Sequence, residues 1–505
     1  MRAALDHDSH AAAGAPAHTQ ALLWGALGLV LAVRILALWL NATDLFFDEA
    51  QYWSWSLEPA FGYYSKPPLI AWVISAATAT CGSSEFCIRL PAPIFHCATA
   101  LVIYMIGRRL YNPAVGLWSA VVFVTLPGVS VSSGIISTDV PLLFFWALAL
   151  WGLLELPETK AWWPAVLLGV GMGLGLNAKY AMVFFPLSML AAMAFLPGSR
   201  ALLRDPRLYA GYAMGAVLIV PNIVWNLSNG FATLAHTADN AKWGGSLLHV
   251  GKGFEFLGAQ FGVFGPIQFA ALGWITWQGW RGRLNERERM LLAFSLPVIA
   301  VITAQAFVSR AHANWAATAY VAASVLVTAR LLRSAKGWLT AAIVLHVLLA
   351  CALGLATWQA GRFRLPFAGD PLARMLGWRA MAETARGALN EAREHGRPFA
   401  AVITDDRSLT AELLYYLRPD PTAVLAWRNA GRPLDHYELT RPYRGGASPV
   451  LLISVRADPG PVTRHFDRVE PLGERQIAAG AAETRRIRLF SLSGFRFNSP
   501  SKESH

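Results

Sequence analysis

The residues equipped for chemistry sit in a few short polar stretches between long apolar ones. The densest stretch, DLFFDEAQYWSWSLEPAFGYYSKPPL, holds Asp44, Asp48, Glu49, Glu58 and Lys66, with Tyr63 and Tyr64 just ahead of the lysine. STDVPLLFF adds Asp139, NAKY adds Lys179, and SRAHANW adds Arg310, His312, Asn314 and Trp315. A further stretch carries His236, Asp239, Lys242 and Trp243. An acid beside a hydroxyl can take its proton, and a cation can hold a departing anion. The inventory therefore suits acid–base chemistry with a nearby cation to hold an anion. Asp48 and Glu49 stand out because adjacent acids among aromatic residues repel one another, which disfavours keeping both charged. Plainer readings apply elsewhere. Arg89, Lys252 and Glu255 flank apolar runs as interfacial anchors, and Asp139 stands where an acid would cap a helix beginning at Val140-Pro141.

Other motifs lead away from chemistry. GVGMGLG at 169–175 has the look of a nucleotide loop but lies inside an apolar run with no strand before it. Its glycines are spaced for close helix packing. No Walker motif and no dinucleotide fingerprint appears, so no soluble nucleotide donor is indicated. His236 and His312 are lone histidines, no cysteine pair has zinc-site spacing, and neither a cofactor nor a divalent metal is indicated. Cys81 and Cys87 flank a short turn and can pair if that turn faces an oxidising compartment.

The elements that must position these residues are membrane helices. Of 505 residues, 55% are hydrophobic and 15% charged, against about 25% charged in ordinary soluble domains. That composition excludes disorder, collagen, coiled coil and a simple soluble enzyme. Residues 1–20 read as a disordered tail, and the first apolar run as a retained span rather than a signal peptide. Taking about 20 apolar residues per crossing, spans fall near 21–41, 89–107, 113–133, 140–155, 161–178, 180–197, 208–228, 256–280, 290–309, 315–333 and 337–359. The stretch 67–80 is apolar but short and opens on two prolines, so it reads as an interfacial or re-entrant helix. With the N-terminus inside, alternate loops hold thirteen Lys and Arg against six in the opposite set. This bias sets the orientation. The chemistry-bearing loops then share the outer face. The net charge of +12 is distributed among these loops and the last third of the chain, a pattern of topology rather than of nucleic-acid binding.

Beyond residue 361 the apolar runs shorten to strand length: AVIT at 401–404, PVLLISV at 449–455 and IRLFSL at 487–492. They alternate with helical stretches at 374–394 and 408–417. This predicts a small α/β domain over 361–505 outside the membrane, following a transmembrane domain over 21–360. It carries 22 Lys and Arg against 16 Asp and Glu, an excess that can gather an anionic partner or merely be solvated.

FFDEAQYW, YYSKPPLIAW, RLP at 89–91, STDVPLLFF, GLNAKY and HANWAATAY together resemble the bacterial branch of glycosyltransferase family 39. That branch includes protein O-mannosyltransferase-like enzymes and the aminoarabinose and galacturonosyl transferases of lipid A and core. The resemblance spans roughly 30–360 in the expected order. It implies an all-α polytopic GT-C fold, a polyprenyl-phosphate-linked sugar as donor, and transfer on the periplasmic face of the inner membrane. Position by position, Asp48 matches the family's essential first-loop acid and Glu49 its neighbour. Lys66 matches the lysine that contacts the lipid phosphate, and Asp139 the second-loop acid. Ser65 departs from the aminoarabinose enzymes, which have Glu before that lysine, and this weakens that particular assignment.

The resulting expectation is an inverting membrane glycosyltransferase with Asp48 as base. Lys66, with Lys179 or Arg310, would hold the phosphate, and Glu49 and Asp139 would orient acceptor or sugar. Tyr63, Tyr64, His312, Asn314 and Trp315 complete the candidate substrate contacts. Expected partners are the lipid-linked sugar, lipid A or another lipopolysaccharide acceptor, and membrane lipid, with no nucleic acid. The rival class is a transporter or flippase of a lipid-linked sugar. Transporters place charges near the midplane and often show paired repeats, neither of which is visible here.

Overall fold

The computed structural model describes residues 17–241, 248–362, 369–429 and 431–496, without the side chains at 237, 238, 240 and 241. The chain divides into two compact units. One comprises residues 17–39, Lys66–Gly82 and Phe86–Gly354, and the other Leu40–Ser65, Ser83–Glu85 and Leu355 onward. The loop carrying Asp44, Asp48 and Glu49 thus groups with the C-terminal unit, although apolar helices flank it in sequence.

The first unit is helical throughout its apolar segments. Ala17–Trp39, Pro206–Ser228 and Lys336–Trp358 are single helices of 23 residues, about 35 Å each. With Glu85–Leu110 and Glu286–Val308 they are long and apolar enough to cross a membrane. The first begins at Ala17, four residues into the stretch read as tail, because Ala17 and Gln20 favour a helix as much as the apolar residues that follow.

Other segments are shorter or interrupted, and the interruptions have local causes. Segment 113–133 divides into Pro113–Thr125 and Pro127–Ser132, because Pro127 lacks the N–H needed to continue the ladder. Segment 256–280, expected as one span, is two helices, Val250–Val263 and Pro266–Trp280, bent by 117°. Gly265 makes the corner at φ +90°, with the His346 ring where a side chain would stand, and Pro266 restarts the helix. Leu69–Cys81 has 13 residues, about 20 Å, well short of a crossing of about 30 Å. Cys81 and Cys87 are disulfide-bonded across the turn that follows it.

Helix Trp163–Ala178 is held between Asp139–Glu155 and Pro206–Ser228 by its glycines. A Cβ on Gly171 would meet Ala149 backbone at 2.7 Å, and one on Gly169 would meet the Gly211 carbonyl at 2.8 Å. The glycine run is therefore a packing surface, as its spacing predicts, and it fixes where Lys179 emerges.

The second unit contains a five-stranded sheet of order β2-β1-β3-β5-β4. The strands are β1 (Ala401–Thr404), β2 (Ala423–Ala426), β3 (Val450–Ser454), β4 (Phe466–Ala478) and β5 (Thr484–Phe495). β1 pairs in parallel with β2 and β3, while β5 runs antiparallel to β3 and β4. β1 and β3 are buried along their whole length, which explains their unbroken apolar runs. β4 is a long, mostly exposed edge strand carrying Arg468, Glu470, Glu474 and Arg475, with a register shift between Pro471 and Gly473. Such features protect an edge from further pairing. Helices Trp378–Glu394 and Arg407–Tyr416 complete the unit.

Candidate active site

In the membrane unit three separate loops meet on Asp139. Asp139 opens helix Asp139–Glu155 and is buried. Its Oδ1 accepts from Lys179 Nζ at 2.7 Å and its Oδ2 from Asn314 Nδ2 at 2.6 Å. Thr138 occupies the cap position, so both carboxylate oxygens serve side chains from distant loops rather than the helix end. Lys179 reaches Asp139 because the chain turns extended at the end of Trp163–Ala178, at φ −161° and ψ 136°. Asn314 sits in the turn Ala313–Ala316. That turn is tied down by Gln260, whose Nε2 donates to the Ala313 carbonyl at 3.3 Å while its Oε1 accepts from Tyr320 Oη at 2.5 Å. Charge-assisted bonds this short, with little water nearby, are the strong kind.

Lys179, expected beside Lys66 as an alternative cation for a lipid phosphate, stands as the counter-ion of Asp139. Lys66 and Arg310 are half-buried in the same unit, and His312 packs edge-on against Trp315 with ring centroids 5.3 Å apart. His236 and Asp239 lie on helix Ala232–Ala241, whereas Lys242 and Trp243 lie outside the described residues. Among the described residues no group of three His, Cys, Asp or Glu side chains is placed to hold a metal ion.

In the C-terminal unit, helix Phe47–Ser56 carries the adjacent acids, and the two take different partners. Glu49 is buried and its Oε2 accepts from the Phe46 N–H at 2.9 Å, closing the helix's own N-terminus. Asp48 is half-exposed, and its Oδ1 faces Arg407 Nη1 at 3.1 Å. The same Arg407 nitrogen donates to Gln51 Oε1 at 2.8 Å, and the guanidinium lies over the Phe47 ring, 5.0 Å from its centroid. Repulsion between the neighbouring acids is relieved by giving one a cation and the other a main-chain donor.

The remaining first-loop residues build the scaffold. Asp44 Oδ2 accepts from the backbone N–H groups of Trp378 at 2.8 Å and Arg379 at 3.3 Å. It thereby caps a helix whose own cap residue, Gly377, has no side chain to offer. Burial pushes the Asp44 carboxyl above the usual range, partly offset by those two donors. Tyr63 stacks on Trp55 at 4.6 Å and donates to the Trp55 and Glu58 carbonyls, and burial raises its hydroxyl to about 12. Tyr64 donates to the Pro433 carbonyl at 2.9 Å. The hydroxyls of both tyrosines, candidate substrate contacts in the sequence, thus also tie down the loop.

Comparison with known proteins follows the same residues. The family model for dolichyl-phosphate-mannose-protein mannosyltransferases matches residues 65–225. The lipid A galacturonosyltransferase RgtD of Rhizobium johnstonii is 40% identical over 407 residues, covering 80% of this chain and 84% of that one. The chain belongs to this glycosyltransferase family. The family-39 resemblance thus holds, and the protein is an enzyme of the glycosyltransferase class. The lipopolysaccharide core galacturonosyltransferase RgtA of the same organism is 31% identical over 50% of this chain and 53% of its own. ArnT from Cupriavidus metallidurans matches in structure with TM-scores of 0.63 in the apo state and 0.64 bound to undecaprenyl phosphate. Identities are 15% and 14%, with 92% of this chain covered in both and 98% and 97% of the other. That likeness gives the fold. This family member is a multi-pass membrane protein of the GT-C type with a small C-terminal sheet.

Two residues important to the arrangement carry no distinguishing mark in the sequence. Arg407 follows Asp405-Asp406 in an ordinary helix start and lies 359 positions from Asp48, so no local pattern marks it. Asp44 was visible only as one loop charge among several.

Proposed function

We propose that this glycosyltransferase moves a hexuronic acid from a polyprenyl-phosphate donor to lipid A on the periplasmic face of the inner membrane. The observation that carries this reading is the 40% identity to a lipid A galacturonosyltransferase along 80% of the chain. The ArnT likeness, which includes a form bound to undecaprenyl phosphate, supports the donor class. In the proposed step an acceptor hydroxyl oxygen attacks the anomeric carbon while Asp48 takes its proton. The bond from that carbon to the phosphate oxygen breaks, and polyprenyl phosphate leaves with the electron pair. Attack opposite the leaving group inverts the anomeric centre.

Lys66 and Arg310 are assigned to the departing phosphate, where a positioned cation stabilises developing charge. Asp139, fixed by Lys179 and Asn314, is assigned to orienting sugar or acceptor. Glu49 is assigned a supporting part, setting the helix start from which Asp48 projects. Mass spectrometry of lipid A from a deletion strain tests the substrate assignment. Loss of one hexuronic acid residue, restored by the gene, is expected. Lipid A and core unchanged in the deletion strain would contradict it.

A further inference from the structure

A second concavity in the membrane unit lies far from the residues discussed so far. It has a volume of about 500 Å³ and is lined by apolar Leu110, Leu154, Leu196 and Met290. Arg109, Arg287 and Arg289 also line it, along with Glu158, Glu286 and Asn285. Leu154 is near the C-terminal end of helix Asp139–Glu155, whose first residue is Asp139. At 1.5 Å per residue those ends are about 24 Å apart. The cavity is therefore at the opposite end of the helix from the Asp139 cluster.

Its electrostatics are uneven. Arg109 is neutralised, with Nη2 at 2.5 Å from Glu158 and Nε at 3.6 Å from Glu155. Glu288, next to both other arginines, is turned to Arg330 at 2.7 Å. Among the described residues neither Arg287 nor Arg289 has a carboxylate within ion-pair distance. Arg289 Nε is held by the Leu284 carbonyl at 3.0 Å, which fixes its fork in place. Two guanidinium groups beside an apolar wall call for a ligand with both characters. Water would satisfy the arginines but not the leucines, and a free anion would leave the apolar wall unfilled. An acyl chain ending in a phosphate meets both needs, as basic pockets between membrane helices do elsewhere.

We propose that this cavity is a binding site for an anionic phospholipid of the surrounding bilayer, its phosphate on Arg287 and Arg289 and its first methylenes against Leu154 and Met290. The site is separate from donor and acceptor binding. The test uses the full-length protein in a neutral detergent, with thermal unfolding followed on adding phosphatidylglycerol, phosphatidylcholine or polyprenyl phosphate. Phosphatidylglycerol is expected to raise the midpoint clearly more than phosphatidylcholine, because a ligand that binds only the folded state stabilises it. The double variant Arg287→Gln/Arg289→Gln should lose that difference while unfolding normally without lipid. Native mass spectrometry of the wild type should show one retained anionic phospholipid, so the question does not hang on how the variant folds. Equal shifts from both phospholipids, a variant that keeps the full difference, or a shift from polyprenyl phosphate alone would overturn the proposal.

Discussion

Asp139 and Asp48 are acids from two loops, and the two units treat them differently. Asp139 is buried and double-bonded, by an ammonium and an amide brought from loops 40 and 175 residues away. Asp48 is half-exposed, and its carboxylate meets one guanidinium, leaving an oxygen that takes no part in that contact. The contrast separates two kinds of acid. One is immobilised and charge-compensated, suited to fixing a geometry. The other is positioned but accessible, suited to exchanging a proton.

The sharpest way to break that contrast is to neutralise each acid in turn. Asp48→Asn should lower transfer by roughly 10²–10⁴-fold with donor binding intact, as removal of a positioned base does. Single-turnover assays beside equilibrium donor binding check this, and a variant keeping more than a tenth of the rate would contradict the base assignment. Asp139→Leu should lower stability as well as transfer. It leaves half-buried Lys179 without its carboxylate, which costs at most about 3 kcal/mol, the low end for a fully buried pair. Asp139→Leu/Lys179→Met should recover much of the loss in thermal unfolding. Failure of that recovery would mean the pair is not the unit of stability.

Smaller effects sharpen the picture in the C-terminal unit. Arg407→Gln should slow transfer by about tenfold, less than removal of the base, since it loosens Asp48 without removing it. Arg407→Lys should recover part of the rate. An Arg407 variant as damaged as Asp48→Asn would show that the guanidinium itself meets substrate. Asp44→Ala should destabilise the unit by about 1 kcal/mol, the usual worth of a helix cap. Its pH dependence has a definite sign. Burial raises the carboxyl of Asp44, and likewise of Asp405 and Asp435. At these three carboxyls the folded state holds protons more tightly than the unfolded one, so their contribution to stability rises as pH falls from neutrality toward the ordinary carboxylate range. Buried His436, held well below the ordinary imidazole range, contributes with the opposite sign. The difference in thermal midpoint between wild type and Asp44→Asn should therefore shift in favour of the wild type as pH falls from 7 to 5, and a difference independent of pH would contradict it.

What could be read from the sequence followed the physics of each element. Apolar runs marked the membrane segments, and the buried strands β1 and β3 announced themselves as AVIT and VLLIS. β4 did not, because an exposed edge strand with scattered charges and few apolar residues carries no alternation to detect. The 117° break at Gly265-Pro266 was written in two residues yet hidden inside a continuous apolar run. Asp139, Lys179 and Asn314 were legible as loop chemistry on one face, and their meeting depends on helix packing around Gly169 and Gly171. The bonds of Tyr63 and Tyr64 to main-chain carbonyls were not legible, because an aromatic hydroxyl looks the same in sequence whatever its partner. Arg407 belonged to a contact between segments 359 residues apart, which no single-sequence pattern encodes.

A glycosyltransferase moves a sugar onto an acceptor, whereas a flippase moves it across a membrane. The most direct measurement supplies purified protein in detergent with polyprenyl-phosphate-linked galacturonic acid and lipid A, where no sealed compartment exists. Lipid A carrying one added hexuronic acid in the inverted anomeric configuration is the predicted result, abolished by Asp48→Asn and sharply reduced by Lys66→Ala. No product with any polyprenyl-phosphate sugar, together with substrate movement seen only in sealed vesicles, would contradict it.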